Sequence, residues 1–209
     1  MFEPVISTKV LLLMQQLSLF DEIREKFYLA GGTALALQCG HRKSEDFNFL
    51  TQVNFDVERL SQTILSFDGT ITHQEQGTLH VIVNEVKMSF LYYPYSLLKP
   101  FTNFAGLSMA SIADIACMKT VAISQRGEKK DFYDMYKILT LMTPLELKVL
   151  FLEKYSSKKI NCYHILKSFF YFEEAENLPD PITLDGTTWK EVKDFFINKE
   201  KILTTELSD

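Results

Sequence analysis

The segment from Leu29 to Leu50, LAGGTALALQCGHRKSEDFNFL, limits the fold more than any other, because it joins a glycine turn to a strand with one polar face. Phe27 to Ala30 is a short apolar run suited to a buried strand. Gly31-Gly32 permits a tight turn and close backbone approach, and Thr33 to Cys39 reads as a helix. Thr33 is placed to cap that helix, whose free N–H groups and positive dipole end suit a phosphate. From Ser44 to Leu50 the residues alternate, with Ser44, Asp46 and Asn48 on one face and Glu45, Phe47 and Phe49 on the other. Such a strand lies over a core and turns its polar face into a cleft beside the glycines. Two carboxylates at i and i+2 would hold a divalent metal there, but Asn48 occupies the second position.

The 209 residues, 46% hydrophobic and 13% aromatic, are enough to bury a sizeable core, as one domain or as a domain with a helical appendage. No apolar run approaches the roughly 18 residues that cross a bilayer, and Val10 to Met14 is too short and poorly flanked for a secretory signal, so no membrane partner is expected. Cys39, Cys117 and Cys162 are odd in number and widely spaced, against both a disulfide framework and a zinc site; a cytoplasmic location is the expectation. Charge is divided along the chain. Ten acidic and four basic residues from Glu173 to Asp209 give that tail −6 and leave residues 1–172 at +1. Cations gather at His41, Arg42, Lys43, Lys87, Lys119, Arg126, Lys129 and Lys130, as a triphosphate or RNA backbone requires.

Ser7 to Phe20 reads as an amphipathic helix and Asp56 to Phe67 as another. Thr70 to Gln76, Leu79 to Val83 and Glu85 to Leu91 read as an antiparallel meander; with the first two strands they predict a five-stranded mixed sheet. Beyond Pro100 the pattern turns helical: Ser111 with Asp114 to about Gln125, ended by Gly127; Lys130 to Met142; Pro144 to Tyr155; Cys162 to Glu173; and Thr188 to Ile202. The expected class is α+β, with an α/β core over 1–105 and a helical region over 106–209 packed on it. Tyr92, Tyr93, Tyr95 and Phe101 read as packing residues. On the helix after Gly127, Asp131 and Asp134 share a face and Lys130 can pair with Asp134 at i,i+4.

Taken together, Gly31-Gly32-Thr33, Gly40-His41-Arg42-Lys43-Ser44, Asp46-Phe47-Asn48, Val86 to Phe90, Asp114 to Lys119 and Arg126 to Asp134 resemble, in order, the motifs of AbiEii/AbiGii toxin family nucleotidyltransferases, of the polymerase-beta-like superfamily. The resemblance implies a palm-like sheet and transfer of a nucleotidyl group from an NTP to RNA or protein with magnesium. It also implies a toxin role with an antitoxin protein as partner. Asp46 and Asn48 fall at the first two metal and catalytic positions, and Ser89 at the third, so one carboxylate of three is present and magnesium binding is expected to be weak or nucleotide-dependent. Lys119, Arg126, Lys130 and Asp131 correspond to contacts with the phosphates or base, Lys130 and Asp131 among the catalytic set, with Asp134 orienting them. Gly31, Gly32, Thr33, Arg42 and Ser44 line the substrate side, Arg42 as a triphosphate clamp and His41 as a partner of Asp46. Glu85, about 13 Å from Ser89 at roughly 3.3 Å per residue, substitutes for the missing carboxylates only if the strand register differs. An alternative reading is a catalytically inactive descendant that serves as a nucleotide, RNA or protein binding module.

Overall fold

A computed structural model describes residues 1–156 and 162–207, without the side chains of 162, 163 and 207. After a short 3₁₀ turn at Glu3–Val5, helix α1 (Thr8–Leu17) starts at the Ser7 N-cap and α2 (Asp21–Lys26) leads into strand β1 (Tyr28–Ala30). Helix α3 (Gly31–Cys39) follows without a linker, then β2 (Phe47–Thr51), α4 (Val57–Leu65), β3 (Thr70–Glu75), β4 (Thr78–Val83), β5 (Val86–Tyr92), β6 (Thr102–Phe104) and β7 (Leu107–Met109). The elements that follow among the described residues are helices: α5 (Ile112–Gln125), α6 (Lys129–Ile138), α7 (Pro144–Lys154), α8 (Cys162–Ser168), α9 (Glu173–Glu176), α10 (Trp189–Asn198) and α11 (Glu200–Leu207).

The seven strands form one mixed sheet in the order β3-β4-β5-β2-β1-β7-β6. β2 runs antiparallel to β1 and parallel to β5, while β7 adds to the other edge of β1 in parallel. The five expected strands are present, β3, β4 and β5 in the expected antiparallel meander, and the β6–β7 hairpin enlarges the predicted sheet. Its two strands have three residues each, too few for alternation to register in a sequence, and its turn takes Ala105 and Gly106 to φ of 50° and 82°. This hairpin spans the 105/106 position at which the sequence divides into two regions, and β7 hydrogen-bonds into the core sheet.

Alternation on β2 works as read from Phe47 onward: Phe47 and Phe49 are 1% exposed, and Phe49 stacks on Phe90 of β5 at 5.0 Å between ring centroids. Leu79, Val81 and Met88 share this buried face with Phe90, and α4 covers its β3–β4 end through Leu60 and Ile64. Each buried aromatic or aliphatic side chain contributes about 1.5–3 kcal/mol relative to its exposed state, so the register is pinned: a one-residue slip would turn the phenylalanines to water. The opposite face is left open at β4 and β5, where Thr78, His80, Lys87 and Ser89 are half-buried or exposed.

Capping fixes the helical half. Ser111 Oγ accepts from Asp114 N at 3.1 Å, and Thr143–Glu146 and Thr188–Glu191 are complete capping boxes. Helix α5 touches α3, α6, α7 and α8, which makes it the element joining sheet to bundle. The expected helix Cys162 to Glu173 ends early, at Ser168, with the short α9 starting only at Glu173, and the last one is broken at Lys199 into α10 and α11.

Candidate functional site

Helix α3 begins at Gly31 itself, with Ala30 in extended backbone as N-cap and no capping side chain. Thr33 is therefore not the cap. It lies inside the first turn, fully buried, and its Oγ1 donates to the Asp46 carbonyl at 2.5 Å and shares a hydrogen bond with Ser44 Oγ at 2.9 Å. That leaves the first N–H groups of α3 uncapped at the cleft. The two glycines are required by proximity. Gly31 has φ of +69° and a Cβ there would stand 2.9 Å from Asn48 Nδ2, while a Cβ on Gly32 would collide with Arg42 Nη2.

A cleft of about 1210 Å³ opens between this turn, the polar edge of β2 and β5, and helices α5 and α6. Gly31, Gly32, Arg42, Ser44, Asp46, Asn48 and Ser89 line one wall, and Lys119, Arg126 and Lys130 the other. Glu45, read as facing away, also lines the cleft, since regular strand begins only at Phe47 and alternation does not govern the residues before it. Asn48 and Ser89 are direct register partners on adjacent parallel strands. Glu85 sits at the far end of β5 in a turn with φ of 64°, its side chain exposed and paired with Lys9 at 2.5 Å, so the register does not bring it to the cleft.

Behind the helical wall lies a buried charge network. Asp134, with no exposed surface, accepts from Arg42 Nε at 2.7 Å and Nη2 at 2.9 Å, from His41 Nε2 at 2.8 Å, and pairs with Lys119 at 2.5 Å. Asp131, equally buried, receives Lys119 Nζ at 2.7 Å and Arg126 Nε at 2.9 Å. Burial by itself pushes both carboxyls up, yet Arg42 and Lys119 hold Asp134 well below the ordinary carboxylate range, and Lys119 with Arg126 lowers Asp131. Burial likewise opposes the charge of Arg42, but Asp134 outweighs it and raises that guanidinium. Two pairings read from the sequence differ here. His41 bonds Asp134 instead of Asp46, and Lys130 pairs with Glu128 at 2.9 Å, because α6 turns Asp134 inward and away from it.

Thus Lys119 and Arg42 are shared: their carboxylate partners lie behind them and the cleft lies in front. Asp131 and Asp134 reach the cleft only through these cations. The sequence reading missed one wall entirely. Leu178 to Ile182 closes the cleft rim, tied down by Lys43 N donating to Ile182 O at 2.8 Å, Leu184 N to His41 O at 2.9 Å, and a Lys129–Asp180 pair at 3.1 Å. Pro179 and Pro181 mark a loop in the sequence, but nothing local signals its docking.

The three expected positions do not make a two-metal carboxylate site: Asp46 brings one carboxylate, while Asn48 and Ser89 bring an amide and a hydroxyl. Among the described residues no three His, Cys, Asp or Glu side chains are grouped to hold a metal.

Residues 12–199 match the model of the AbiEii nucleotidyl transferase toxins of type IV toxin–antitoxin systems. The chain belongs to this family. An uncharacterized relative from Aquifex aeolicus (strain VF5), aq_aa25, is 40% identical over 183 residues, covering 84% of this chain and 86% of that one. The AbiEii-family fold is also that of a nucleotidyltransferase structure from H. pylori (TM-score 0.55, 15% identity, 96% and 97% of the two chains). MenT4, a nucleotidyltransferase toxin from Mycobacterium tuberculosis H37Rv, is similar as well (TM-score 0.52, 12% identity, 96% and 92%). Among the described residues no helix is long and apolar enough to cross a membrane.

Proposed function

We propose that this AbiEii-family chain binds an NTP in the 1210 Å³ cleft and transfers its nucleotidyl group to a hydroxyl of RNA or of a protein, in the cytoplasm and under control of an antitoxin protein. The observation that carries this reading is the meeting, in one cleft, of uncapped α3 amides, the Asp46 carboxylate and the cations Arg42, Lys119, Arg126 and Lys130 from separate parts of the chain. Helix N-termini and bidentate guanidinium groups are the usual cradle of phosphate oxygens. The triphosphate would lie with its oxygens toward the Gly32 and Thr33 amides and Arg42, and Lys119, Arg126 and Lys130 would neutralise its far end. Asp46, flanked by Asn48, would hold a divalent ion accompanying the nucleotide, and that ion would neutralise triphosphate charge.

Binding of each NTP, with and without magnesium, followed by transfer of α-labelled nucleotide to total RNA and to the protein itself, tests the proposal. Magnesium-dependent binding with transfer is the expected result. The second reading, a nucleotide-binding module without catalysis, draws on Asn48 and Ser89 standing where carboxylates are expected. Magnesium-independent binding without transfer would establish it, and absence of all NTP binding would remove both.

A further inference from the structure

Ser89 is not an isolated replacement. On the open face of the sheet the register runs His73, His80, Ser89 and Asn48 across β3, β4, β5 and β2, one residue per strand. His80 Nδ1 and Ser89 Oγ are 2.8 Å apart, and Ser89 lines the cleft directly beside Asn48. The half-buried His80 thus stands immediately behind the hydroxyl that occupies the third carboxylate position.

We propose that Ser89 and His80 together replace the missing carboxylate as the proton acceptor for the hydroxyl that receives the nucleotidyl group, an inference that rests on the proposed transfer reaction. A neutral imidazole with its proton on Nε2 accepts the Ser89 O–H at Nδ1, which turns a Ser89 lone pair toward an acceptor hydroxyl in the cleft. As the acceptor oxygen bonds to the α-phosphorus of the NTP, the bond from that phosphorus to the bridging oxygen breaks and pyrophosphate leaves with the electron pair. The acceptor proton passes to Ser89 Oγ while the Ser89 proton passes to His80, giving an imidazolium that returns its proton to solvent. Ser89 is the catalytic residue, touching the acceptor, and His80 is its positioning residue. The charged or titratable groups facing His80 are His73, whose ring lies 5.7 Å away, Glu75 beside it on β3, Lys87 on β5, and Asp46 across β5. Among the described residues no carboxylate contacts the ring, so proton transfer depends on the imidazole alone.

The test uses the full chain with α-labelled ATP, CTP, GTP and UTP, total RNA as acceptor, and NTP affinity measured on the same preparations. His80→Gln keeps a hydrogen bond to Ser89 but cannot take a proton. It should lower transfer by about 100-fold or more, as loss of a general base does, with NTP affinity changed less than about twofold. Ser89→Asp placed in the His80→Gln background should restore transfer, which a purely structural histidine would not allow. Unchanged transfer in His80→Gln, or NTP binding without any transfer by the natural chain between pH 6 and 9, overturns the relay. Failure to bind any NTP instead overturns the proposed function on which it rests.

Discussion

The two walls of the cleft treat carboxylates in opposite ways. On the sheet wall, where catalysis by metal would need them exposed, Asp46 is the one carboxylate at the three expected positions, with Asn48 and Ser89 at the other two. On the helix wall Asp131 and Asp134 are both present but have no exposed surface, and each faces cations that in turn face the cleft. The difference shows what each set holds in place. Asp131 and Asp134 fix the positions of Arg42, Lys119 and Arg126 at the cost of desolvation, and a phosphate site needs such cations held in advance. The sheet wall holds no comparable charge network. Its partly exposed polar ladder asks little of the fold, so substitutions there are cheap for stability.

The largest effect should therefore come from the helix wall. Asp134→Ala leaves Arg42 and Lys119 buried without one of their partners, and unfolding measured by denaturant should show a loss of about 3–5 kcal/mol. Replacing Arg42 by Met and Asp134 by Leu together should cost less than the single change, since no uncompensated charge remains at that pair. The pH dependence follows from the same network. Asp134 and Asp131 have folded values below their ordinary one, so their contribution is fully present above the unfolded carboxylate value, near 3.8, and is lost as the pH falls through the lower folded values. Stability of the natural chain should fall more steeply below pH 4 than that of Asp134→Asn, and equal slopes would show that the network carries no linkage.

This wall also marks where the sequence stops being legible. Capping pairs such as Ser111–Asp114 and Thr143–Glu146, and the Phe47–Asn48–Phe49 alternation, are local, so the elements and the strand facing the cleft follow from spacing alone. The i,i+3 spacing of Asp131 and Asp134 places them on one face of α6 but does not say that this face is inward. Only the crossing of α3, α5 and α6 brings Arg42 and Lys119 to them from 92 and 15 residues away from Asp134. Docking of Leu178 to Ile182 against Lys43 and the bond between His80 and Ser89 are equally tertiary facts. A three-residue hairpin strand leaves no periodic trace at all.

On the sheet wall, charge can be added without opening the core, because Asn48 and Ser89 both border the cleft. The double change Asn48→Asp and Ser89→Asp should strengthen magnesium binding in the absence of nucleotide by at least about tenfold, measured by calorimetry, and leave denaturant stability within about 1 kcal/mol. If the variant binds no more metal than the natural chain, the two positions do not converge with Asp46 on one ion. A smaller effect is expected from Lys130→Glu. Half-exposed and paired with Glu128 at 2.9 Å, Lys130 can turn toward a phosphate without breaking the buried network. Charge reversal should weaken NTP binding several-fold, more at low salt than at high, with stability unchanged. Unaltered affinity would mean that the triphosphate does not extend to α6.

The smallest effect should come from Glu85, the one carboxylate on or beside β5. Its turn carries positive φ at both Asn84 and Glu85, a tight two-residue reversal that fixes the β4–β5 register and directs Glu85 to Lys9 on α1. From there its oxygens cannot meet Asp46, because Val86 to Met88 intervene along the strand and the pairing of Asn48 with Ser89 leaves no slack. Glu85→Gln should therefore leave metal binding, NTP binding and transfer at the level of the natural chain, and do the same in the Asn48→Asp, Ser89→Asp background. A loss of magnesium affinity on this substitution would require β5 to slide by several residues, carrying Phe90 away from Phe49, and would dismantle the alignment of Asn48, Ser89 and His80 on which the sheet wall's chemistry depends.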